Sequence, residues 1–264
     1  MSAGSNGSCK ASARRLAILF WFYKEPAVCE NRLDIVARHN GDLPIYGLFG
    51  GPPGEAAAFE ARLGARLDDF YAAPPGDPQW KWLNGDLMLL DWYERRGRSL
   101  VWEQVAIVQW DMLVLGGLRD QFPGLQPGQM SLPHLRRLSE ADEAAWYWTS
   151  GRRGDYLQFR QHIRETRGYD QQPFGCGFMF AIIPRAFFEH YGAVAGKEIG
   201  FLEYKLPTYA DLFGIPFYEK DFGVGTAMNA INQPIARDFI HAQLAKVGGW
   251  RLFHPYYAPW EVVR

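Results

Sequence analysis

The sequence predicts an α/β fold, a single domain built on a mostly parallel central sheet flanked by helices. Three observations carry this. Short apolar runs at 16–22, 44–49 and 105–108 alternate with stretches of helical character, the order from which parallel doubly wound sheets are built. The 264 residues are 48% hydrophobic and 16% aromatic, enough for one large core, and no long polar linker divides the middle of the chain. The third observation is the stretch 105–114, Val-Ala-Ile-Val-Gln-Trp-Asp-Met-Leu-Val, which reads as a buried strand with an acid at its tip. In open α/β sheets ligands sit outside the carboxyl ends of the strands, so Asp111 is placed to meet substrate or metal. An Asp in such a position also serves as a turn former or helix N-cap.

The elements follow in order. Residues 1–13, dominated by Ser, Gly and Ala, have the composition of a disordered tail, and 14–264 form the domain. The run 16–22 follows Arg14-Arg15 but ends in Lys24-Glu25-Pro26 with no small-residue cleavage pattern, so it is a first strand and not a targeting segment. A helix over 27–38 closes at Asn40-Gly41, and a second strand spans 44–49. The breaker cluster Gly50-Gly51-Pro52-Pro53-Gly54 opens a helix at 55–63. A third strand at 68–72 ends in Pro74-Pro75-Gly76-Asp77-Pro78, and 80–86 lead into a helix over 87–96, capped by Asn84 or Asp86 and stopped by Gly97.

Beyond Asp111 the character changes. Residues 123–133 are loop-like, and 135–166 are helical with an aromatic surface centred on Trp146-Tyr147-Trp148, read first as packing and second as a stacking platform. A glycine-marked strand covers 174–183, where another backbone or a ligand approaches, and Pro184 begins a helix at its N1 position that reaches Tyr191. A helical period over 203–213 ends at Gly214, 215–218 form a short strand, and the aromatic tail at 248–257 carries His254 just before a proline. No internal repeat is visible.

Composition removes several function classes. Net charge is −1 and the arginines are scattered or paired, so no nucleic-acid footprint is evident. Cys9, Cys29 and Cys176 are odd in number, far apart and without C-x-x-C spacing, which suits a reducing, cytoplasmic compartment and disfavours zinc. No apolar run approaches the roughly 18 residues of a transmembrane helix. The 49–54 loop is not G-x-G-x-x-G and no Walker sequence occurs, which disfavours a dinucleotide oxidoreductase or an ATPase.

Gln109-Trp110-Asp111, the glycine-flanked strand around Gly175 and Gly177, the acid Glu203 near a helix start and the C-terminal His254 together resemble a nucleotide-sugar glycosyltransferase of the GT-A type. The resemblance implies a GT-A-like, Rossmann-like single domain with acceptor-side insertions, its nucleotide-binding half at 14–115 and its acceptor-binding half at 116–264. It implies a nucleoside diphosphate sugar as donor, a glycan or small molecule as acceptor, and Mn²⁺ or Mg²⁺ as cofactor. Gln109-Trp110-Asp111 looks like a degenerate Asp-x-Asp motif: Asp111 carries the metal contact, and Gln109 supplies a neutral oxygen or a hydrogen bond to the sugar. His254 is similar in position to a second metal ligand, and as readily a stacked or capping histidine.

A cation there would neutralise the leaving diphosphate, and a nitrogen ligand favours Mn²⁺ over Mg²⁺. Glu203, following the apolar 199–202, is the candidate base of an inverting transfer, with helix capping as its alternative and Asp170 and Asp221 in reserve; a retaining transfer needs no such base. Phe22 and Tyr23 are placed to flank the nucleotide base, Lys24 to neutralise phosphate, and Asn84 and Asp86 to hydrogen-bond base or ribose. Acceptor choice falls to 135–170. Two other readings stay open: a catalytically inactive sugar-nucleotide or glycan-binding protein, and a sugar-phosphate nucleotidylyltransferase, whose glycine-rich basic loop is missing from Phe22-Tyr23-Lys24-Glu25-Pro26.

Overall fold

Apolar residues are consecutive in the central strands because both faces of the sheet are covered. In a computed structural model, which describes residues 16–229 and 233–261, five strands make that sheet: β1 (Leu16–Phe22), β2 (Ile45–Phe49), β3 (Asp69–Ala72), β4 (Gln104–Gln109) and, numbered eighth in the chain, β8 (Phe180–Pro184). The expected tail at 1–13, with Cys9 and the Arg14-Arg15 pair, lies outside the described residues. Strand order is β3-β2-β1-β4-β8, parallel throughout except for β8, which runs antiparallel to β4 with Val105 opposite Ile183. The remaining strands are two-residue pieces: β5 (Leu113–Val114) pairs with β9 (Leu252–Phe253), and β6 (Arg136–Arg137) with β7 (Phe174–Gly175).

Period-two alternation sends side chains to two cores. Leu16, Ile18, Phe20 and Phe22 of β1 face α1 (Pro26–His39) and α2 (Ala56–Leu63), while Ala17 and Leu19 face a second layer. That second layer contains α4 (Gly85–Trp92), α8 (Arg153–Arg167), α9 (Arg185–Gly192) and α10 (Leu202–Leu212). Short helices α3 (Pro78–Leu83), α5 (Leu118–Gln121), α6 (Glu140–Ala145) and α7 (Tyr147–Ser150) lie in the connections, and α11 (Arg237–Leu244) precedes β9. Both cores draw on residues before and after 115.

Four expectations need correction. The strand at 174–183 is two, because Cys176–Met179 turn away between β7 and β8. Pro184 closes β8 and takes the N-cap position of α9, with extended ψ of 149°, so the helix starts one residue later. The helical stretch at 135–166 opens with β6 and is broken into α6, α7 and α8, starting from a capping box in which Ser139 and Asp142 satisfy each other's backbone N–H. At 215–218 there is only an isolated bridge between Phe217 and Met130.

Candidate active-site cleft

Strand order reverses between β1 and β4, the switch point at which open α/β sheets bind ligands. A cleft of about 1420 Å³ opens there, across the carboxyl ends of β1, β2 and β4. Its floor includes Trp21, Gly50, Gly51, Gln109, Trp110 and Asp111. Both glycines are closely packed, Gly50 against side chains and Gly51 against backbone as well. A Cβ on Gly50 would come 3.0 Å from the Trp21 indole nitrogen, and one on Gly51 would come 2.7 Å from the Tyr23 carbonyl.

Asp111 and His254 meet because of backbone register. β4 ends at Gln109, the chain turns through Trp110 and Asp111, and β5 then pairs antiparallel with β9 through Leu113 opposite Phe253. His254 follows directly, and the Tyr256 amide donates to the Asp111 carbonyl at 2.7 Å. The C-terminal segment is held from beneath by the fully buried Arg32 of α1, whose guanidinium donates to the carbonyls of Tyr256 at 2.7 Å and Ala258 at 2.8 Å. Burial lowers the Arg32 pKa to about 10, which leaves it charged near neutrality.

His254 Nε2 stands 3.5 Å from Asp111 Oδ1, and its Nδ1 lies 3.0 Å from the Asn229 carbonyl. A carbonyl only accepts, so Nδ1 carries a proton and Nε2 of the neutral ring is a lone pair. Asp111 Oδ1 is buried and has no hydrogen-bond donor. With the ring in the neutral form that a metal ligand takes, two acceptors face each other, and the donor set suits a divalent cation: one carboxylate oxygen, and one imidazole nitrogen whose other nitrogen is anchored to a carbonyl. No cluster of three or more His, Cys, Asp or Glu occurs among the described residues, so most of a cation's coordination sphere would fall to a ligand and water.

Glu203 comes from the first turn of α10 and lines the same cleft. Its Oε1 accepts the Phe178 amide at 2.7 Å. Burial outweighs that bond and the pull of Arg136, pushing the carboxyl up to about 7. Gln109 reaches across the floor, donating from Nε2 to the Phe178 carbonyl at 2.9 Å, so one short segment holds both side chains. Tyr23 and Lys24 also line the cleft: Tyr23 packs edge-on against Trp110, and the Lys24 ammonium sits 4.9 Å from the Trp110 ring centre.

Three of the expected nucleotide contacts are elsewhere. Phe22 alternates away from the cleft into the α1–α2 core, fully buried against Phe20, Phe49, Phe59 and Phe70. Asn84 occupies the N-cap position of α4 without a side-chain cap; its Nδ2 donates to the Trp80 carbonyl and its Oδ1 accepts from Lys205. Asp86 is buried on the inner face of α4, where Lys205 Nζ pairs with it at 3.0 Å and the Tyr191 hydroxyl donates to it. The reserve acids are also outside the cleft: Asp170 pairs with Arg164 on the surface, and Asp221 accepts the Gly223 amide.

Sequence reasoning passed over Lys81, Trp21 and Trp82. Lys81 is buried at the cleft edge, donating to the Gly50 carbonyl at 3.2 Å, and desolvation lowers its pKa. The available signal was Trp80-Lys81-Trp82 directly after a Pro-rich break, a sequence that α3 turns into one wall of the cleft.

No protein-family model and no curated protein matches the chain. Among solved structures it is similar to the apo form of mouse xyloside xylosyltransferase 1, with a TM-score of 0.45 and 12% identity over 90% of this chain and 97% of that one. It is similar to the galactosyltransferase LgtC in complex with donor and acceptor sugar analogues, with a TM-score of 0.47 and 10% identity over 92% of this chain and 87% of the other. A cytidylyltransferase from Leptospira borgpetersenii gives a TM-score of 0.44 and 9% identity over 79% of this chain and 76% of the other.

Proposed function

We propose that the cleft transfers a sugar from a nucleoside diphosphate sugar to an acceptor hydroxyl. The carrying observation is the uncompensated acceptor pair, Asp111 Oδ1 and His254 Nε2, at the sheet's switch point in a cleft that also holds Glu203. Asp111 and His254 would hold Mn²⁺ or Mg²⁺; when bound, the cation neutralises charge that builds on the departing diphosphate. Lys24 and Lys81 add positive charge to the wall that the phosphates would face. The half-exposed Tyr23 ring, backed by the buried Trp110, offers a face beside a nucleotide base, and Gln109 a hydrogen bond to the sugar.

In an inverting transfer the acceptor oxygen attacks the anomeric carbon as the bond to the diphosphate oxygen breaks, the bonding pair leaving with the diphosphate. Glu203 takes the acceptor's proton. A base near 7 suits that role: it is half ionised at neutral pH and still basic enough to draw the proton in the transition state. Nucleotidyl transfer is less well supported, because only Tyr23, Lys24 and Glu25 separate β1 from α1 and leave no glycine-rich loop to cradle a triphosphate.

The test is a thermal-shift panel of UDP, GDP, CDP and ADP, with and without Mn²⁺, on the wild type and on Asp111→Asn. One nucleotide with Mn²⁺ should raise Tm, by the equivalent of about 2.7 kcal/mol at a hundredfold excess over Kd. The rise should vanish in Asp111→Asn. A flat response to every nucleotide would overturn the reading.

A further inference from the structure

Opposite the charged floor, the cleft is walled by Trp82, Trp146, Trp148 and Phe201. Trp148 lies flat on Phe201, ring centres 3.9 Å apart at 25°, and Trp82 meets Trp148 at 5.2 Å and 61°. This cluster is more than core packing. Trp82 keeps 60% of its surface exposed, and the neighbouring Tyr147 61%, on a protein whose other large aromatics are mostly buried. Exposed apolar area gathered at one rim of a cleft marks a contact site. The indole N–H groups of Trp82, Trp146 and Trp148 make no hydrogen bond among the described residues, so they remain donors for a ligand.

We infer that this wall is a subsite for a pyranose ring, which, resting on the transferase reading above, is the acceptor sugar. A pyranose has an apolar C–H face and a rim of hydroxyls. The exposed Trp82 ring, backed by the Trp148–Phe201 stack, matches the first, and the free N–H groups match the second. Phe201 and Glu203, two residues apart at the start of α10, line the same cleft, so the wall and the carboxylate belong to one site. A cationic ligand fits less well, because the Arg136 guanidinium already lies 5.4 Å from the Trp146 ring. A wholly apolar ligand would leave three indole donors without partners.

The test titrates lactose, maltose, cellobiose and N,N′-diacetylchitobiose into the wild type and into Trp82→Ala, Trp82→Phe and Trp148→Ala, read by saturation-transfer NMR. Trp82 is exposed enough that its replacement should leave Tm unchanged. At least one disaccharide should bind the wild type, about tenfold more weakly to Trp82→Ala and in between to Trp82→Phe. The inference is overturned if none binds, or if Trp82→Ala and Trp148→Ala both bind as tightly as the wild type. A nucleotide-induced Tm rise without disaccharide binding removes this subsite and leaves the transferase reading intact. Disaccharide binding that depends on Trp82, with no response to any nucleotide, keeps the subsite and turns the protein into a sugar-binding one.

Discussion

Two buried carboxylates, one in each region of the molecule, are handled in opposite ways. Asp86, in the helical layer beneath the sheet, is supplied with its own cation: Lys205, itself fully buried, stands 3.0 Å away, and Tyr191 donates to the same oxygen. Asp111, at the edge of the cleft, forms no ion pair with a lysine or arginine among the described residues and faces the His254 imidazole at 3.5 Å. Each leaves Oδ1 without a hydrogen bond, so the contrast is in charge compensation and not in hydrogen-bond count. A structural carboxylate brings its counter-charge in the same chain. A carboxylate kept for a ligand leaves that demand open.

The largest effect expected from breaking the contrast is at the compensated pair. Lys205→Met strands Asp86 as an unpaired buried charge and should cost about 3–5 kcal/mol in denaturant unfolding. Adding Asp86→Asn should recover most of that loss, because an uncharged pair makes no demand for compensation. If the double variant is no better than the single one, packing and not charge accounts for Lys205.

Asp86 also marks how far the sequence was legible. It lies at i, i+3, i+4 and i+7 with Leu89, Leu90 and Tyr93, so helical periodicity alone puts it on the buried face of α4 and argues against a ribose contact. Its counter-ion, Lys205, sits in α10, and nothing local in the chain announces that pairing. The order of apolar runs revealed β1, β2 and β4 and put Asp111 at a strand tip. It did not separate Phe22 from Tyr23, because a strand buried on both faces has no polar alternation to show which side faces the cleft. The β5–β9 pairing that brings His254 to Asp111 is only two residues long, too short for any pattern, and the antiparallel β8 looks in sequence like any parallel core strand. Of the aromatic wall only Trp146-Tyr147-Trp148 stood out as an aromatic surface; its joining to Trp82 and Phe201 did not, because α3, α7 and the residue before α10 share no periodicity.

The next effect sharpens the comparison at Glu203. Burial raises its pKa from 4.5 to about 7, so the folded state binds the proton more tightly than the unfolded chain. Stability from this group is complete below pH 4.5 and is lost as pH rises through 7, a change of about 3 kcal/mol. Glu203→Gln keeps an oxygen for the Phe178 amide and removes the charge. It should raise Tm above wild type at pH 8 and match it at pH 4, while abolishing transfer. In the wild type, kcat should climb with pH through about 7, as a base must be ionised to act. A variant no more stable at pH 8 would mean that the carboxylate is solvated in the folded protein.

The smallest expected effect is the most discriminating. Asp111→Asn replaces one of two facing acceptors with an amide that can donate to His254 Nε2, the lone pair left by the Nδ1–H bond to the Asn229 carbonyl. If Asp111 is held for an external cation, the ligand-free variant should be as stable as wild type or better, by about 1 kcal/mol for the new hydrogen bond. If Asp111 instead serves the fold, as Asp86 does, the same substitution should destabilise, because the His254 end of the β5–β9 pairing would lose its partner. Denaturant unfolding of the ligand-free protein separates the two outcomes, and a loss of several kcal/mol would place Asp111 with Asp86 among the structural acids.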